Sequence, residues 1–279
     1  MVVLLALGSA VAYGLSDFVG GVLARRASVF AIAVVGQSAS TAATSVVALL
    51  LPGAPATSDW IWGAVAGVGS GVGAAFLYRG LASGRMSVVA PLSAVAAALL
   101  PVVVGYISGE RPTLVTWLGV LCAFPAIWLV SRAADPASGG ERSHRAGVAD
   151  GLLAGLGFGA LFAALGQVED GSGLGPLALA QATSVGAIIA LATALRQPWL
   201  PRHRGEAAAS IAGLLGALAT SLFLLSTQSG LLTVAAVLSS LYPASTVLLA
   251  ALLLHERIRR SQGLGLLLAG AAVALVAGG

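Results

Sequence analysis

Apolar residues run through this chain in long stretches bounded by charge. They are residues 1–24 (interrupted only by Asp17), 27–58, 60–78, 86–109, 112–131, 151–168, 171–195, 207–255 and 261–279. A helix needs about 20 mostly uncharged residues to cross roughly 30 Å of hydrocarbon, so these gaps count membrane crossings. The stretch 207–255 is too long for one crossing and holds the polar turn Ser226-Thr227-Gln228-Ser229-Gly230, so it divides in two. Ten spans are predicted. Met1 to Tyr13, followed through Gly8-Ser9-Ala10, has some features of a secretory leader, but no basic segment precedes it and the same segment recurs later, so it is read as span 1. The most polar connector, Arg132 to Asp150, contains Asp135-Pro136 and Gly139-Gly140 and separates halves of nearly equal length.

The halves are two copies of one unit. A shift of 146 residues pairs Ser83 with Ser229, Gly84 with Gly230, Ser93 with Ser239, Glu110-Arg111 with Glu256-Arg257 and Gly119 with Gly265 without a gap. A shift of 145 pairs Tyr13-Gly14 with Phe158-Gly159, and a shift of 144 pairs Gln37 with Gln181. Five spans per copy is an odd number, so the second copy enters the membrane from the opposite side, as in the inverted repeats of many secondary transporters. The expected fold is an all-α polytopic membrane protein of ten transmembrane helices in two inverted five-helix repeats, over residues 1–132 and 147–279, joined by a polar linker at 133–146.

With Tyr13-Gly14 in span 1, Tyr78-Arg79-Gly80-Leu81-Ala82-Ser83-Gly84 after span 3, Val89-Ala90-Pro91 opening span 4 and Gly109-Glu110-Arg111 before span 5, the chain resembles the drug/metabolite transporter superfamily, in its ten-span class with two EamA domains. Leu254-His255-Glu256-Arg257 closes the second copy in the same way. The resemblance implies an exporter of amino acids, other metabolites or drugs, with spans 5 and 10 peripheral and the others around a central cavity.

Composition narrows the function further. Only 9% of residues are charged and 58% are hydrophobic, which excludes a soluble fold and disorder. All 14 basic residues are arginines, and without lysine no Walker A loop exists, so the chain does not hydrolyse ATP by that route. The single cysteine, Cys122, permits neither an intrachain disulfide nor a cysteine zinc site. The basic pI reads as membrane-flanking arginine rather than a nucleic-acid face. Thirteen of the arginines fall in odd-numbered connectors and only Arg111 lies on the other side, which places both termini outside the cytoplasm. Relatives in the family it resembles mostly have both termini inside.

Asp17 is the only ionisable residue within a span rather than at its rim, about 12 Å inside the end marked by Arg25. Such a carboxylate is a candidate proton carrier or cation partner, against a plainer role paired with Arg25 or Arg26. Gln37 and Gln181 fall roughly 15 Å into spans 2 and 7. There an amide must find a partner, in a substrate or in another helix. Pro91, Pro101 and Pro243 should kink or break spans 4 and 9, and with Ser93, Ser239, Ser240 and Tyr242 they mark those spans as cavity-lining. Tyr13 and Phe158, at matching positions, are candidates to stack on a substrate. Gly63, Gly67 and Gly71 form a small-residue face. The match of Gly155-Leu156-Gly157-Phe158-Gly159-Ala160 to a dinucleotide fingerprint is discounted, because no strand precedes it. Glu110-Arg111 and Glu256-Arg257 are read as pinning helix ends. His144, His203 and His255 have no metal-ligand spacing.

The expectation is a cell-membrane secondary transporter, monomeric or homodimeric, exporting small polar or amphipathic, amino-acid-like metabolites by alternating access. Protons are the candidate coupling ion, and no cofactor, metal or nucleic acid is expected. An enzyme would need clustered catalytic groups at membrane depth, where only Asp17 stands. The alternative is a lipid-handling or accessory membrane protein without small-molecule flux.

Overall fold

A computed structural model describes residues 1–24, 27–82, 86–131, 141–253 and 258–279. These form α1 (Val2–Ala24), α2 (Val29–Leu50), α3 (Thr57–Ala82), α4 (Met86–Ile107), α5 (Leu114–Ser131), α6 (Glu141–Leu165), α7 (Gly175–Ala194), a short 3-10 helix (Arg204–Ala208), α8 (Ala209–Gln228), α9 (Leu232–Ser239), α10 (Tyr242–Leu253) and α11 (Arg260–Gly278). Ten stretches are long and apolar enough to cross a membrane, with α9 and α10 together making the ninth. The span count read from charge therefore holds. The last part of the expected linker 133–146 is helical, since α6 starts at Glu141, and no proline or glycine between Glu141 and Ala146 stops it. Arg25, Arg26 and residues 132–140 lie outside the described residues.

Helix ends follow local chemistry. Ser28 caps α2, its hydroxyl accepting from the Ala31 N–H, and Pro176 stands in the first turn of α7, where the missing donor has no cost. The prolines act unequally. α4 runs unbroken through Pro91 and Pro101, which corrects the expectation of a break there; each removes one donor, and the neighbouring helix turns carry the helix on. Span 9 does break. α9 ends at Ser239, Ser240 and Leu241 form a turn, and α10 starts with Tyr242-Pro243. The missing Pro243 N–H would have served the Ser239 carbonyl, which explains why the helix stops there.

Helices pair across the copies in a two-fold pattern. The α1–α8 contact has its mate in α6–α3, α2–α8 in α7–α3, and α1 with α9 and α10 in α6–α4; α2–α7, α4–α9 and α5–α11 are their own mates. α3 lies against α7 through the predicted glycine face. A Cβ at Gly63 would meet the Pro176 backbone, at Gly67 the Ala180 carbonyl, and at Gly71 the Ser184 carbonyl 2.9 Å away. The four-residue step on one helix meets a four-residue step on the other. The supposed dinucleotide fingerprint has the same explanation: Gly155 and Gly159 face α4, and Gly157 faces Gly69 and Gly73 of α3. α5 and α11 meet through the matched Gly119 and Gly265, which face Ala272 and Val130. α9 is buried at every position between two apolar clusters, one built on α1, α4, α5 and α11, the other on α3, α6, α7 and α8.

Candidate functional site

Two polar groupings lie at the interface of the copies. The first joins the matched glutamines. The Gln37 side-chain amide N–H donates to the Gln181 carbonyl oxygen. The Gln181 amide in turn donates to Thr220 Oγ1 at 2.9 Å, and the Thr220 hydroxyl donates back into α8 at the Gly216 carbonyl, 2.9 Å away. Gln181 is buried and Gln37 half-buried. α2 reaches this position because Gly36 lies against the backbone of Ala209 and Gly213 on α8, where any side chain would hold the helices apart. Thr220 was not anticipated, since a lone threonine in an apolar span carries no sequence signal.

The second grouping surrounds the break in span 9. Tyr13 on α1 stands edge-on to Phe162 (5.9 Å between centroids) and tilted against Tyr242 at the start of α10 (6.0 Å). Phe162 continues the stack to Phe223 at 4.6 Å. Tyr13 is therefore joined to the second copy by Phe162, one turn beyond its repeat mate. Phe158 itself borders the same apolar cluster and covers Gly73 of α3. Gly14 permits the approach of α10: a Cβ there would meet the Tyr242 carbonyl at 3.0 Å and the Thr246 N–H nitrogen at 3.1 Å. Asp17, one turn beyond Tyr13 on the same face of α1, is within electrostatic reach of both tyrosines. Its side chain is exposed, and no hydrogen bond or ion pair reaches it among the described residues. An exposed residue on an inward-looking helix face marks space between the helices at that level. Arg25 and Arg26, its alternative partners, lie outside the described residues.

The buried hydroxyls divide. Ser93 donates to the Ala90 carbonyl at 3.0 Å and Ser239 to the Ala6 carbonyl at 3.3 Å, so both serve the backbone. Tyr13 Oη and Ser240 Oγ are buried without a hydrogen-bond partner among the described residues. Buried polar groups are rarely left so, and each such hydroxyl has bonding capacity to offer a ligand or water. An apolar groove of about 450 Å³ between α4 and α5, lined by Leu99, Tyr106 and Trp117 among others, touches none of these residues. Among the described residues no cluster of His, Cys, Asp and Glu is arranged to hold a metal.

At the face carrying the even-numbered connectors, Asp59 was seen in the sequence only as a span boundary. Its buried carboxylate accepts from the N–H of Ala56 (2.8 Å), the N–H of Glu169 (3.0 Å) and the hydroxyl of Ser172 (2.7 Å), tying connector 2 to connector 6. Gln228, the last residue of α8, donates to the Glu169 carbonyl at 3.1 Å. At the opposite face Arg79 on α3 pairs with Asp150 on α6.

A model described as the EamA-like transporter family matches residues 1–132 and 145–278. Among solved structures, one titled "Crystal structure of protein" is similar at a TM-score of 0.70 and 16% sequence identity, over 98% of this chain and 95% of that one, a likeness of fold. No curated protein matches the chain.

Proposed function

The chain belongs to the EamA-like transporter family, and from that premise, a multi-pass membrane transporter of the drug/metabolite type, we propose that it exports a small polar or amphipathic, amino-acid-like metabolite across the cell membrane by alternating access. The observation that carries this reading is the meeting of Gln37 and Gln181, matched residues of the two copies, at mid-membrane depth. Amides suit the carboxylate and amine of such a cargo, and the aromatic stack of Tyr13, Phe162 and Tyr242 suits an apolar side chain. The broken span supplies an irregular backbone and Ser240 Oγ, buried without a hydrogen-bond partner among the described residues, beside it. Asp17 carries the coupling proton. Both termini face away from the cytoplasm.

The test is flux of a radiolabelled amino-acid and metabolite panel into proteoliposomes holding the purified protein, with and without an imposed pH gradient. Saturable uptake of at least one cargo, accelerated by the gradient, is expected. Lipid movement between leaflets with no solute flux assigns the protein to lipid handling instead.

A further inference from the structure

Glu110 and Arg111 follow one another in the connector between α4 and α5, and the structure puts their charges to different uses. The Glu110 carboxylate serves the other copy. It accepts from the backbone N–H groups of Leu232 and, at 3.0 Å, of Thr233, first-turn donors of α9, whose N-cap position, Leu231, offers no side-chain acceptor. Arg111 stays outside. Its side chain is exposed, the guanidinium carbon stands 5.1 Å from the centre of the Tyr106 ring, and Nη1 donates to the carbonyls of Tyr106 (3.2 Å) and Glu110 (2.8 Å). These contacts hold the group in place without neutralising it. Among the described residues Arg79 and Asp150 form the one ion pair, and Nε and Nη2 of Arg111 have no protein partner.

Beside this cation runs the apolar groove of about 450 Å³ between α4 and α5. α4 lines it with positions i, i+3, i+4 and i+7 counted from Leu99 to Tyr106, and α5 with the same set counted from Trp117 to Phe124, one face of each helix. At 1.5 Å per residue the groove runs about 10 Å along the helices, most of one leaflet of a hydrocarbon core about 30 Å thick. Its mouth is at the even-connector face. There Tyr106 meets Trp117 edge-on at 6.2 Å, and neither the phenol nor the indole N–H has a protein hydrogen-bond partner among the described residues, as suits rings at headgroup level. The repeat does not require these rings. At the 146-residue interval Tyr106, Trp117 and Phe124 correspond to Leu252, Gly263 and Gly270, and a Cβ at either glycine would meet nothing. The aromatic walls belong to the first copy alone.

We propose that this groove holds one phospholipid with a net negative headgroup, drawn from the leaflet at the even-connector face, with an acyl chain between α4 and α5 and the phosphate on Arg111. Any lipid chain fits an apolar groove in hydrocarbon; charge is what selects one lipid from the rest. Arg111 is the one arginine at this face, the other thirteen falling in odd-numbered connectors, so its attraction is not repeated around the rim. A guanidinium with free donors on two nitrogens binds phosphate oxygens in its planar fork. The N-terminus of α5, where Thr113 Oγ1 accepts from the Thr116 N–H at 3.1 Å, brings the positive end of a helix dipole to the same place. A zwitterionic headgroup offers the same phosphate, but its own cation offsets the pull of an unneutralised arginine, so a net negative headgroup is preferred. Glu110 matters here through its engagement with α9. Turned toward Arg111 instead, it would cancel the charge that selects the lipid.

The experiment is native mass spectrometry of the full chain, delipidated in detergent and titrated with phosphatidylglycerol, with phosphatidylcholine of the same chains, or with inorganic phosphate. One phosphatidylglycerol should be retained about tenfold more tightly than phosphatidylcholine, the scale of one charge-assisted contact. Arg111→Gln should abolish that preference and leave retention of phosphatidylcholine unchanged. Leu121→Trp, which fills the groove from an exposed position and keeps the arginine, should weaken retention of both lipids. Arg202→Gln, at the other face, should change neither. Where Arg111→Gln does not fold, the preference of the parent and the response of Leu121→Trp decide. Equal retention of the two lipids by the parent, or a preference that survives both Arg111→Gln and Leu121→Trp, overturns the site. Inorganic phosphate bound as tightly as phosphatidylglycerol makes Arg111 an anion site with no lipid and overturns it as well.

Discussion

Asp17 and the glutamine pair lie in the same membrane but in unlike surroundings, and the difference sets what their replacement should do. Asp17 is exposed and unpartnered among the described residues, so Asp17→Asn has little packing to disturb. It should leave thermal stability in detergent unchanged and abolish the dependence of transport on a pH gradient, read as cargo accumulation with the gradient present and collapsed. Accumulation that still follows the gradient rejects the coupling role. Gln181 is buried and holds both Gln37 and Thr220, so Gln181→Leu strands two polar groups and should cost about 1 to 3 kcal/mol of stability. Gln37 is half-buried and ends the chain of amides. Gln37→Leu should instead weaken apparent affinity for cargo roughly five- to 150-fold with a smaller change in melting temperature. Unchanged affinity in both variants removes the pair from the site. Sequence spacing located both amides by depth and repeat position; that they bond to each other, and to Thr220, depends on how α2, α7 and α8 pack.

At the scale of helices, glycine sets distance and proline sets continuity. Gly67 sits where a side chain would strike the Ala180 carbonyl, so Gly67→Val should lower the melting temperature through an overpacking cost of about 1 to 3 kcal/mol. Gly186→Ala on α7, a position with open space around it, serves as the control and should not lower it. The stripe was legible because its period matches the helix. Its partner was not, because α7 contributes backbone, and backbone looks the same in every sequence. The proline pattern was half legible. Pro243 stands where the helix restarts, and Pro91 and Pro101 lie inside a continuous one. Pro243→Ala returns a donor for the Ser239 carbonyl, lets α9 and α10 join, and should slow transport while raising stability. A variant as fast as the parent shows that the break is not needed for turnover.

For the whole molecule the testable quantity is orientation. With 13 arginines at one face and Arg111 at the other, a cytoplasm-only reporter fused to Gly279 should stay silent, and strong activity reverses the assignment. The pairing of α1–α8 with α6–α3 and of α2–α8 with α7–α3 also makes the halves interdependent, since among the described residues each copy's helices pack chiefly against helices of the other. Residues 1–132 expressed alone should therefore not give a monodisperse, thermally cooperative protein in detergent.

The number of spans, the two copies and their opposed senses were decided by the sequence alone. Charge is so costly in hydrocarbon that ten residues of Asp and Glu and 14 of Arg mark nearly every crossing, and an odd span count per copy inverts the second. Tertiary structure decided which of those spans touch and which polar groups are satisfied. It joined Gln37 to Gln181, set Tyr13 against Phe162 rather than Phe158, gave Asp59 to connector 6 and gave Glu110 to the first turn of α9. In a membrane all helices are apolar outside, so hydrophobic pattern does not choose partners. Backbone approach and hydrogen bonding do, and both exist only once the helices have come together.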